Sequence, residues 1–223
     1  MISENLARVD ERIEQACRDA GRRRDEITLV AVTKVFPAAV IVEAYEAGLR
    51  DFGENYVQEF EGKQAEVRGL EGARFHLIGH LQSNKSRRAA ELFDVIQTVD
   101  TLKLARRLNE TGLRLEVMLE VKLSEEESKH GAEPEAVAEL ADAVRAQPNL
   151  TLAGLMTMPP WYDDPERTRP YFRRLREIAE RVTRPGEPMA LSMGMSHDFE
   201  AAIQEGATHI RVGTALFGKR KKA

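Results

Sequence analysis

The sequence is poor in cysteine, with one, Cys17, among 223 residues. A lone thiol excludes an intramolecular disulfide and a four-thiolate zinc site. It falls in the series Leu6, Val9, Ile13, Cys17, Ala20, one face of an amphipathic helix, and reads as a core thiol. No apolar run approaches the roughly 20 residues that cross a bilayer. The first residues, Met1-Ile2-Ser3-Glu4-Asn5, are polar at once, unlike a secretory signal. The expectation is a soluble, cytoplasmic protein with no membrane partner. An excess of positive charge is missing too: 33 Lys and Arg stand against 37 Asp and Glu, a net charge of −4. That balance argues against a nucleic-acid partner, and the basic tail Lys219-Arg220-Lys221-Lys222 reads as solvated charge. The five histidines show no metal-ligand spacing, so no metal is expected. No Pro/Gly/Ser linker breaks the chain, so residues 1–218 are expected to form one domain ahead of the tail at 219–223. No long exposed apolar stretch is evident, and the expectation is a monomer.

What the chain does have is regular alternation. Short β-rich runs are predicted at Thr28 to Thr33, Asp51 to Gly53, Arg74 to Ile78, Val95 to Val99, Leu115 to Leu123, Leu150 to Met156, Met189 to Ser192 and His209 to Val212. An amphipathic stretch follows each of them. Strands joined by crossover helices run parallel with right-handed connections. Eight such units in about 200 residues predict an α/β fold, a single (β/α)8 TIM barrel with an extra N-terminal helix. An open doubly wound sheet is the alternative, since periodicity does not report closure. No G-x-G-x-x-G or P-loop fingerprint favours it.

In a barrel of this kind the active site forms at the C-terminal ends of the strands. Lys34 follows the apolar run Thr28 to Thr33, so its ammonium is expected at a crowded barrel mouth. Partial desolvation there would yield the neutral amine that Schiff-base chemistry requires. The bland alternative is a lysine snorkelling to solvent. The loops after strands seven and eight carry Ser192-Met193-Gly194-Met195-Ser196 and Arg211-Val212-Gly213-Thr214. A barrel phosphate sits there, held by backbone N–H groups and a helix start. Gly213 permits close approach, Thr214 adds a hydroxyl, and Ser192 faces them, while Ser196 reads as the N-cap of the following helix. Together with Lys34 these features point to a phosphorylated carbonyl ligand, and pyridoxal phosphate (PLP) has the required aldehyde, phosphate and ring nitrogen. Arg211 is the candidate partner of that nitrogen, or else a structural salt bridge. A guanidinium only donates, so it favours an unprotonated ring that stabilises carbanions poorly.

Six blocks, LVAVTK (from Leu29), FGENYVQE (from Phe52), FHLIGHLQSNK (from Phe75), GLMTM (from Gly154), LSMGMSHDFEAAI (from Leu191) and IRVGTALFG (from Ile210), occur along the chain. In this order they resemble the pyridoxal phosphate homeostasis protein family. The resemblance implies a barrel like the N-terminal domain of bacterial alanine racemase, with Lys34 as the covalent PLP lysine. It further implies Arg211 at the ring nitrogen, Ser192, Gly213 and Thr214 around the phosphate, and Asn55 beside the ring. It gives His80 no role. The chain stops just after strand eight, so the second domain of the racemases and its catalytic tyrosine are expected to be missing. The implied function is PLP binding in intracellular vitamin B6 homeostasis, buffering or delivering the cofactor to PLP-dependent apoenzymes, without established catalysis.

Other residues fit less directly. Tyr162, in Trp161-Tyr162-Asp163-Asp164, reads as a loop aromatic shielding the cofactor rather than an acid/base group. Lys85, with Arg87 and Arg88, could attract an anion, and Lys129 matches a further family lysine with a possible part in cofactor transfer; solvated surface charge is the plain alternative for both. Glu125-Glu126-Glu127 reads as a solvated run. Two other functions compete with the carrier: a single-domain PLP-dependent racemase-like enzyme, and a lysine aldolase acting on a sugar phosphate without cofactor.

Overall fold

The computed structural model describes residues 1–124 and 130–218. Glu125-Glu126-Glu127, Lys129 and the basic tail lie outside the described residues. Eight strands close into a parallel barrel in chain order: β1 Thr28–Val32, β2 Asp51–Glu54, β3 Arg74–Leu77, β4 Val95–Val99, β5 Leu115–Glu120, β6 Leu150–Met156, β7 Ala190–Met195 and β8 His209–Val212. Closure is direct, since β8 pairs with β1 through Leu29 and Ile210. The strands are buried on both faces, as parallel barrel strands must be; β4 is buried along its whole length.

The helices are α1 Ile2–Asp19, α2 Ala38–Glu46, α3 Val57–Val67, α4 Ser86–Leu92, α5 Leu102–Asn109, α6 Val137–Arg145, α7 Arg169–Val182, α8 Phe199–Gln204 and α9 Thr214–Phe217. Cys17 is buried on α1 beside Val9 and Ile13, and burial pushes its thiol pKa up, as an inert core thiol requires. The same helix is tied to α8 by an Arg12–Glu200 ion pair at 2.6 Å, with the Arg12 guanidinium 4.3 Å above the Phe199 ring.

Two strand ends differ from the sequence pattern by three residues, and the other strand boundaries by at most one. The strand predicted to reach Leu123 stops at Glu120, because the chain leaves the sheet after Val121 makes a single bridge to Ala132. The strand predicted to stop at Ser192 runs on to Met195. In both places apolar side chains continue past the end of pairing or polar ones lie within it, which hydrophobic periodicity cannot register.

Aromatic residues are few, but four of them gather between barrel and helices. Phe60 of α3 lies 4.7 Å from Phe75 and 4.9 Å from Phe93, and Phe75 lies 5.7 Å from Phe52. Each such pair adds about 0.5–1.5 kcal/mol beyond area burial. The cluster fixes α3 against β2 and β3, which places the Lys63 side chain beneath the first strand's end.

Candidate functional site

At the end of β1, Thr33 to Phe36 form a tight turn closed by the Phe36 N–H to Thr33 carbonyl bond at 3.1 Å, with Lys34 at its second position. Val35 has φ +62°, a left-handed conformation that a β-branched residue adopts only under constraint. The constraint comes from α3. Glu59 accepts the Val35 N–H, and Lys63 Nζ donates to the Thr33 carbonyl at 3.1 Å. Lys63 also pairs with Glu54 at 3.0 Å and Glu59 at 2.6 Å, and Thr33 Oγ1 donates to Glu54 at 2.7 Å. Glu54 is fully buried, and its desolvation raises its pKa against the pull of Lys63. The half-buried Lys34 is thus presented from a turn that four buried or partly buried polar groups hold.

Asn55 is placed by a close approach between strands. A Cβ on Gly79 would lie 2.2 Å from the Asn55 carbonyl oxygen, so only glycine lets the β3 end pass there. Gly194 does the same work near the end of β7. Its φ is +91°, and a Cβ would meet Ala202 at 2.5 Å, so the chain turns directly into α8. Asp198 fastens that turn by accepting the Met195 N–H at 2.7 Å.

Lys34, Asn55, Arg211, Gly213 and Thr214 line one cavity of about 280 Å³ at the C-terminal mouth of the barrel. Ser196 lines it as well and does not cap α8. Its Oγ accepts the N–H groups of Gly213 and Ala215, each at 3.3 Å, where α9 begins. Gly213 has φ −117°, and the nearest atom to a Cβ there would be 3.4 Å away. Neither backbone strain nor crowding demands glycine at 213; what it leaves is an unobstructed backbone facing the cavity.

Ser192 is not on the cavity wall. It is fully buried below Arg211, accepting from Nη1 at 2.7 Å and donating to Gln97 Oε1 at 2.6 Å. Gln97 continues to His76 at 3.0 Å and His76 to Asp51 at 2.8 Å, a polar chain through the barrel interior that the sequence did not betray. Arg211 also donates from Nη2 to the Thr157 carbonyl at 2.9 Å. Among the described residues no carboxylate forms an ion pair with it, and burial lowers its pKa to about 10. A buried guanidinium of five donors with two used inside the protein has capacity left for a ligand acceptor.

The loop after β6 closes one side. Exposed Trp161 lines the cavity and stacks on His197, while Tyr162 turns away to bond the Tyr171 hydroxyl at 2.9 Å. Lys85 lines an adjoining cavity that shares Asn55, whereas Arg87 and Arg88 pair with Glu91 at 3.5 and 2.9 Å on the surface. A larger depression of about 720 Å³ lies at the opposite end of the barrel, where Arg74 and Glu116 neutralise each other at 2.8 Å. Conserving function at that end would be unusual for a barrel, whose sites sit at the strands' C-terminal face.

The sequence model of the family described as alanine racemase, N-terminal domain, matches residues 5–221. A pyridoxal phosphate homeostasis protein of Pseudomonas aeruginosa is 49% identical over 98% of this chain and 96% of its own. The chain belongs to the pyridoxal phosphate homeostasis family. PipY of Synechococcus elongatus, solved with PLP bound, is 39% identical with a TM-score of 0.84, covering 98% of this chain and all of that one. An alanine racemase of Clostridium difficile, at 14% identity, shares the fold with a TM-score of 0.75 and is covered over 59% of its length. The names of the family relatives describe homeostasis rather than a reaction. No helix among the described residues is long and apolar enough to cross a membrane.

Proposed function

We propose that this chain binds PLP at the C-terminal mouth of its barrel and serves to hold and release that cofactor. One observation carries the reading: a lysine presented by a constrained turn and a buried guanidinium that no described carboxylate contacts in an ion pair line the same cavity. The donor set fits the group. Lys34 supplies an amine for its aldehyde, Arg211 a donor for its ring nitrogen, and Gly213, Thr214 and Ser196 supply N–H and hydroxyl donors at a helix start for its phosphate. Asn55, on the same wall, would lie beside the ring. Ser192 acts through Arg211, fixing its guanidinium, rather than touching phosphate.

When bound, PLP supplies an electron sink for carbanions at an attached amino acid. Arg211 works against that chemistry, since a permanently charged donor keeps the ring nitrogen unprotonated. His197, the other titratable group on the wall besides Lys34 and Arg211, is bonded to the Asp163 carbonyl at 3.0 Å and stacked on Trp161. These features support a carrier acting in the cytoplasm over a racemase-like catalyst. Delivery to PLP-dependent apoenzymes by transient contact follows from the open mouth, and a monomer suffices for it.

The test is an absorption spectrum of the purified chain with PLP, then borohydride reduction and peptide mapping. A near-visible band and a reduced adduct on Lys34 are expected, both lost in Lys34→Ala. An adduct on another lysine, or no band, would overturn the reading.

A further inference from the structure

Beside this cavity lies a second cluster. His80 follows β3, Asp100 follows β4, and His130 sits where the chain returns after β5. One ligand atom from each lies within 4.8 Å of the others, with His80 Nδ1 3.8 Å from Asp100 Oδ2. The two imidazoles stack at 3.6 Å with planes 13° apart.

A second, independent observation points to the same place. Two buried side-chain atoms among the described residues lack a hydrogen-bond partner, Glu120 Oε2 and Ser124 Oγ. Both residues line one small cavity together with His80 and His130. Glu120 is 5% exposed and Ser124 8%. An unpartnered buried carboxylate and hydroxyl are costly, and a cation with its own water would satisfy both.

We propose that His80, Asp100 and His130 bind a first-row divalent transition cation of the zinc type. A water on the open coordination position donates to Glu120 and Ser124. Two imidazoles and a carboxylate with an open fourth position suit zinc, whereas calcium and magnesium take all-oxygen sets. Tetrahedral bonds of about 2 Å separate ligand atoms by roughly 3.3 Å, so the three ligand atoms, now within 4.8 Å of one another, must draw together. An ion must lie near the plane of each ring, so binding also tilts the stacked imidazoles apart. The site does not depend on the cofactor reading, although Ile78 and Met158 wall both cavities.

The test uses the tag-free, PLP-free full chain after chelator treatment. Calorimetric titration with Zn²⁺ is expected to give one equivalent at micromolar affinity, and Co²⁺ to give the visible band of a four- or five-coordinate ion. His80→Ala, Asp100→Asn and His130→Ala, all at partly or fully exposed side chains, should each weaken Zn²⁺ tenfold or more while circular dichroism stays unchanged. Glu120→Gln should weaken it by a smaller factor. No binding at millimolar Zn²⁺, or undiminished affinity in the three ligand variants, would overturn the proposal.

Discussion

Ser192 Oγ stands 2.7 Å from Arg211 Nη1 and 2.6 Å from Gln97 Oε1, so the serine orients the guanidinium from below. The hydroxyl is a relay inside the barrel, and the side chain that meets α9 at the cavity is Ser196, four residues on. Each side chain then makes a separable prediction.

Replacing Ser196 by Ala should weaken PLP by about ten- to a hundredfold, since a hydrogen bond to a charged group is worth roughly 1.5–3 kcal/mol. Pyridoxal, which lacks the phosphate, should bind equally well to both proteins. Parallel absorption titrations with the two ligands check this, and an equal loss for both would move Ser196 away from phosphate.

Arg211→Met removes a buried charge that Asp198 and Glu120 stabilise only from beyond ion-pair distance. Its lost hydrogen bonds are largely offset by the desolvation it no longer suffers, so unfolding free energy should change by less than about 2 kcal/mol. PLP affinity should fall tenfold or more. Urea denaturation and ligand titration on the same preparation separate the two effects.

Gly194→Ala forces a left-handed φ on alanine and drives its Cβ to 2.5 Å from Ala202. Strain of about 1–3 kcal/mol and a comparable overpacking cost should together lower stability by about 2–6 kcal/mol. Thermal unfolding measures it, and a cost below about 1 kcal/mol would mean that α8 moves away freely.

His209 gives a pH signature. Burial, then the neighbouring His76, depress its pKa to about 4. Between that value and about 6.5 the unfolded chain takes up a proton that folded His209 refuses. Its contribution to stability is therefore complete above about pH 6.5 and lost as pH falls toward 4, on the order of 3 kcal/mol. His209→Gln should flatten that part of the stability curve measured by denaturation across pH.

Much of the architecture was legible in the chain. Runs such as Leu29–Val32 are apolar on both faces and too short for helices, and the helix stripes between them leave parallel pairing as the only economical arrangement. Lys34, Arg211, Gly213 and Thr214 could be named as candidates because barrel sites gather at strand ends, a rule that needs only the order of elements, whereas Asn55 came from the family resemblance. Boundaries were less legible. Glu120 and Met195 end their strands through bridges and turns that hydrophobicity does not encode.

What the sequence determined by itself is local: periodicity, turn residues and the family blocks are properties of neighbouring positions. Only the closed barrel decided which distant positions meet. Closure put Ser192 under Arg211 and Ser196 at the start of α9, although both serines sit in one five-residue segment. It put Lys63 of α3 beneath the carbonyl of Thr33, and it brought His80, Asp100 and His130 together from three strand ends at spacings no ligand motif contains. A side chain's partner across a barrel is set by strand register and by which face of the pleat it occupies, and both are fixed by packing of the whole core rather than by adjacent residues.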